Sequence, residues 1–200
     1  MHRRRRFLLS CVAAALNAGA LTLVRGTIDA AFATFLLLVT LFCVIEGTLV
    51  DEVPRGERNL GVLATLTGLA VLATFVIAVR SRGFITIGAI AMAIGIALRC
   101  AAVYTLGPRF VSALRSDAPL IRRGVYRWLD HPSEAGLLTL TLGACVLFRS
   151  MPALVVWVGA VVPLTMARVR IENVFLQSHI TSSMMPTTTE RTGPSFESNT

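Results

Sequence analysis

Six stretches of this 200-residue chain are too apolar to face water, and only short polar breaks carrying arginine separate them. A helix needs about 20 mostly apolar residues to cross the hydrocarbon core of a bilayer. The runs fall at 7–24, 30–50, 60–79, 84–98 with an extension to 106, 135–148 and 153–167. Lipid leaves every backbone amide to be satisfied internally, so runs of this kind become helices. The expected fold is an all-α, polytopic transmembrane helical bundle of about six helices. The fifth and sixth runs are the shortest. Run 135–148 rises only about 21 Å at 1.5 Å per residue, against a core of about 30 Å. The pair is expected to form a short hairpin turned at Arg149-Ser150-Met151-Pro152.

Composition agrees with that reading and closes off others. Hydrophobic residues make up 54% of the chain and charged residues 15%, where a soluble domain carries about 25% charged. A soluble globule, a disordered chain and a nucleic-acid-binding arm are all excluded on that ground, and no nucleic-acid partner is expected. The net charge is +8, and all 19 basic residues are arginine. Without lysine, Schiff-base chemistry drops out. Cys11, Cys43, Cys100 and Cys145 lie in or beside apolar runs and form no CxxC pair, so neither a metal site nor a disulfide framework is indicated.

Arginine also sets the expected orientation. With both termini in the cytoplasm, only Arg25, Arg80, Arg82 and Arg149 face outward, and every other arginine faces inward. The N-terminal Met-His-Arg-Arg-Arg-Arg reads as the cytoplasmic anchor of a first transmembrane helix rather than a cleaved twin-arginine signal. The expected protein is integral to a bacterial-type plasma membrane. It divides into N-terminal transmembrane helices (1–82), a membrane core with a long polar loop (83–176) and a polar, disordered tail (177–200). This topology puts the 107–134 stretch and the Arg168 region on one side of the membrane.

Residues that do not belong in lipid mark where chemistry can sit. They are Asp29 and Glu46 around the second run, Arg99 late in the fourth, Asp130, His131 and Glu134 before the fifth, and Arg168, Arg170 and Glu172 after the sixth. Arg168 and Glu172 are four apart and share a helix face. Taken alone they also suit an arginine snorkelling at the interface with a surface pair. His131-Pro132 taken alone suits a loop.

Three blocks in order say more. The stretch Leu98-Arg99-Cys100-Ala101-Ala102-Val103-Tyr104-Thr105-Leu106-Gly107-Pro108-Arg109-Phe110 comes first. Leu120-Ile121-Arg122-Arg123-Gly124-Val125-Tyr126-Arg127-Trp128-Leu129-Asp130-His131-Pro132-Ser133-Glu134-Ala135-Gly136 follows, and Arg168-Val169-Arg170-Ile171-Glu172-Asn173-Val174-Phe175-Leu176 closes the set. Together they resemble the isoprenylcysteine carboxyl methyltransferase family across roughly residues 95–176. The related phospholipid methyltransferases share the last two blocks.

The resemblance implies an integral-membrane methyltransferase that uses S-adenosyl-L-methionine held by cytoplasmic loops and helix ends. Tyr126, His131 and Pro132 would line the cofactor pocket, with Arg99 and Glu172. Arg168 and Glu172 would carry the catalytic roles, facing cofactor and acceptor. The acceptor would be a membrane lipid or another lipophilic or small molecule. No metal is implied. The chain departs from the family pattern at Val125 (usually Pro), Asp130 (Arg), Ser133-Glu134 (Asn-Tyr or Met-Tyr) and Asn173 (Glu). A polar tail stands in place of a C-terminal Phe-Gly-Glu-x-Tyr segment. A non-catalytic or transporter-like relative is the alternative that these departures raise.

Overall fold

The computed structural model describes residues 2–49, 58–106 and 124–184, with the side chains of 11–45, 62–105, 124–171, 173 and 174. The described residues form an all-α bundle of six helical rods. They are α1 (His2–Arg25), α2 (Ala30–Leu49), α3 (Arg58–Ala78), α4 (Thr86–Leu106), α5 (Pro132–Leu147) and a last rod built from three pieces. That rod begins as α6 (Met151–Val156), passes through a π-helical turn at Trp157–Val161, and continues as α7 (Val162–Met184). A 3-10 turn at Gly124–Arg127 precedes α5. Two stretches, Thr86–Thr105 and Met151–Ile171, are long and apolar enough to cross a membrane by themselves. Shorter apolar helices are Cys11–Arg25, Ala30–Ile45, Val62–Ala78 and Pro132–Leu147.

The last rod extends beyond residue 167, where the apolar run stops. Pro163 lacks an amide hydrogen, and its ring would clash with the carbonyl four residues back in a regular helix. The π turn just before it takes up that misfit. The Val162 amide reaches back five residues to the Trp157 carbonyl, and the helix resumes. The rod therefore carries Arg168 to Asn173 on its body and passes residue 177, the expected start of the tail. The tail beyond residue 184 lies outside the described residues.

Phe35 sits at the centre of the apolar core. Its ring meets Phe75 edge-on at 5.3 Å and Phe148 at 5.2 Å, joining α2, α3 and the end of α5. At this end of the bundle Arg25 closes the α1–α2 turn. Its guanidinium donates to the Val79 and Ser81 carbonyls at 3.0 and 3.2 Å, pairs with Asp29, and lies over the Phe32 and Phe148 rings. Asp29 in turn accepts the Phe32 amide at 2.8 Å and caps α2. The Phe32 amide, first among several causes, holds the Asp29 carboxyl below its ordinary value.

Helices α4 and α5 are antiparallel and touch backbone to backbone. A Cβ placed on Gly88 would lie 2.2 Å from the Leu147 amide nitrogen, and one on Gly95 would lie 2.5 Å from that of Leu140. From the other side, a Cβ on Gly136 would lie 2.7 Å from the Gly95 carbonyl, and one on Gly143 would lie 2.7 Å from the Met92 amide nitrogen. The glycines are seven apart on each helix, so two levels of the same face are stripped to backbone. Of the small residues of α4 that suit close packing, Gly88 and Gly95 make the contact, while Ala93 and Ala97 face outward.

Candidate active site

The far end of the α4–α5 pair, away from Arg25, gathers the polar residues. Arg99 lies one turn beyond Gly95 and is 8% exposed. Its Nη1 donates to the Ser133 carbonyl at 3.1 Å and to the Ser133 hydroxyl at 2.9 Å, and its guanidinium sits 5.7 Å from the Phe42 ring centre. Arg99 thus ties the first turn of α5 to α4 and to α2. Burying a cation in an apolar bundle requires such partners.

Helix α5 starts with Pro132 in its first turn, where the missing amide hydrogen costs nothing. His131 occupies the N-cap position without making a side-chain cap. Its ring reaches across to the last rod instead, with Nε2 donating to Oδ1 of Asn173 at 3.0 Å. Glu134 lies in the same first turn and is 5% exposed. Its Oε1 pairs with Nη1 of Arg168 at 3.4 Å. Its Oε2 is buried and has no hydrogen-bond partner among the described residues.

The 3-10 turn brings Tyr126 to this end, half-buried. Gly124 opens that turn with φ +58°, and a Cβ there would lie 2.9 Å from Oγ1 of Thr105. Both the left-handed backbone and the contact with α4 call for glycine. Trp128 after the turn is 81% exposed, with the Arg127 guanidinium 5.6 Å from its ring centre. An aromatic and a cation beside an apolar bundle suit the headgroup layer of a membrane.

The structure therefore draws Arg99, His131, Pro132 and Arg168 to one end of the bundle, with Tyr126 in the turn that leads in. Residue 172 is on α7, but its side chain lies outside the described residues, as do the Glu46 side chain and residues 107–123 of the polar loop. Two residues in the cluster carry no assigned role from the sequence, which marks Glu134 only as an acid that does not belong in lipid and Asn173 only as a departure from the family pattern. Glu134, from α5, faces Arg168. Asn173 holds His131. Both stand where the family pattern has a different residue, and that was the signal available for them.

The described residues thus form an apolar bundle with a charged, buried cluster at one end. Residues 86–178 match the model of the isoprenylcysteine carboxyl methyltransferase (ICMT) family, just under half of the chain. The family consists of integral-membrane methyltransferases dependent on S-adenosylmethionine, which methylate lipophilic isoprenylated substrates. The matched segment begins at the first residue of α4, ends within α7, and contains every residue of the cluster. No curated protein and no solved structure matches the chain.

Proposed function

We propose that this chain transfers a methyl group from S-adenosylmethionine to a lipophilic or small acceptor at the cytoplasmic face of a membrane. The observation that carries the reading is the coincidence of the family match with the polar end of the α4–α5–α7 bundle. The residues present fit such a cofactor. A buried carboxylate oxygen has no hydrogen-bond partner among the described residues, His131 is held by Asn173, and a glycine turn brings Tyr126 alongside.

When bound, the cofactor supplies a sulfonium methyl group already activated for in-line displacement. The chain's own residues have three tasks. Tyr126, His131 and Pro132 hold the cofactor, with Arg99 fixing the helix end on which two of them sit. Arg168 orients an anionic acceptor or steadies the charge that moves during transfer, and Glu172 balances it or accepts a proton from a neutral acceptor. The apolar walls exclude water and align the two reactants. A lipophilic acceptor reaches such a site sideways from the bilayer. Carboxyl, thiol and amine groups all fit this scheme.

Calorimetry on detergent-purified protein tests the reading. Wild type binds S-adenosylmethionine, and His131→Ala weakens binding by about tenfold or more, the worth of a lost hydrogen bond near a charge. A folded wild type that does not bind refutes it. Labelled methyl donor with membrane extract then reveals the acceptor class. Binding without transfer to any acceptor favours the non-catalytic relative, for which Asn173 in place of the family's second Glu is the motive.

A further inference from the structure

A carboxylate is costly to bury unless both of its oxygens are satisfied. Glu134 meets that requirement only by half. Oε1 has Arg168 at 3.4 Å, whereas Oε2 is buried and without a hydrogen-bond partner among the described residues. The side chain is 6% exposed, so bulk water does not complete it. Its position is fixed from both sides, because Arg99 anchors the preceding residue and Arg168 holds the carboxylate itself. Glu134 lies three residues after His131 and two after Pro132, and the family pattern has no acid at this position. The arrangement is an acceptor aimed at something that carries positive charge or an N–H group.

We propose that Glu134 is a cofactor-binding residue of this chain, with Oε2 either accepting a hydrogen bond from the ammonium of bound S-adenosylmethionine or lying against its sulfonium charge. The assignment rests on the function proposed above. The cofactor has two cationic groups, its amino-acid ammonium and its sulfonium. Either one would complete the carboxylate and account for an acid in so apolar a setting. Glu134 also holds Arg168 in place through Oε1, so cofactor and catalytic arginine share one anchor.

The test compares wild type with Glu134→Gln in detergent, by calorimetry with S-adenosylmethionine and with S-adenosylhomocysteine, which keeps the ammonium but not the sulfonium. Thermal midpoints are taken on the same samples without ligand. The expected loss of S-adenosylmethionine affinity is roughly tenfold to hundredfold, the worth of a charge-assisted hydrogen bond. An equal loss for both ligands assigns the ammonium, and a loss confined to S-adenosylmethionine assigns the sulfonium. Affinities within twofold of wild type for both ligands overturn the assignment while the proposed function stands. A folded wild type that binds neither ligand overturns both. If Glu134→Gln does not fold, Glu134→Asp keeps the charge and withdraws the carboxylate by one methylene. A several-fold loss is then expected, and wild-type affinity overturns the assignment.

Discussion

Gly95→Ala tests whether backbone contact between α4 and α5 sets the geometry of the candidate site. The added Cβ would lie 2.5 Å from the Leu140 nitrogen, 2.6 Å from the Gly136 carbonyl oxygen and 2.8 Å from the Leu140 Cα. All three neighbours belong to backbone and cannot rotate away. Non-bonded heavy atoms settle at about 3.5–4.0 Å, so the helices must part by about 1 Å. Forced packing of this kind costs about 1–3 kcal/mol. Arg99 lies one turn further along and bonds Ser133 at 2.9 and 3.1 Å. A separation of about 1 Å takes both bonds out of hydrogen-bond range. The α5 first turn, with His131 and Glu134, then loses its tether. The expected result is a lower midpoint in detergent unfolding together with an S-adenosylmethionine affinity about tenfold weaker. Gly68→Ala is the control. It lies within α3 with nothing near its Cβ position, and should be neutral or stabilising by up to about 1 kcal/mol. If Gly95→Ala matches Gly68→Ala in both stability and affinity, the reasoning fails.

Two further predictions concern other bonds in the bundle. Asp29→Ala removes the α2 cap and should cost about 1 kcal/mol at neutral pH. Because the folded-state pKa of Asp29 is lowered from 3.8, this stabilisation is fully present above about pH 4 and is lost as pH falls through the folded value. Thermal midpoints of wild type and variant should converge on acidification, and a constant gap would contradict the assignment. Trp157→Phe removes the bond from Nε1 to the Thr141 hydroxyl, which is 2.8 Å long. The expected cost is about 0.6–1.5 kcal/mol. A double-mutant cycle with Thr141→Val should show coupling, and strict additivity would deny the bond any weight.

Much of this architecture follows from local pattern. Six apolar runs became six rods, and the fifth kept its shortness, because lipid solvent makes hydrophobicity nearly sufficient to specify a helix. The ordered blocks around Arg99, His131 and Arg168 pointed to one end of the bundle, since they bound the segments that fold back on each other. The reach of the last rod was harder to read. Pro163 and the polar residues after 167 look like a stop, and only the π turn shows how the helix continues. The contact of Glu134 with Arg168 was equally hidden. Spacing along one helix favours Glu172, four residues on, while the contact with Glu134 depends on how α5 lies against α7. On α4 the contact falls on Gly88 and Gly95, seven apart, and their role shows only beside Gly136 and Gly143 of α5.

The π turn at Trp157–Val161 has a bearing on ancestry as well as on shape. Such a turn amounts to one extra residue in a helix, and one residue advances the helix by about 100°. Everything after it is therefore clocked by that single insertion, Arg168 and Asn173 included. Were the turn ironed out by a deletion, the apolar wall of Met151–Val156 would stay where it is, while Arg168 swung away from Glu134 and Asn173 from His131. The turn acts as the bundle's angular setting. Along this rod, a change in length between relatives is a change in which direction the chemistry faces.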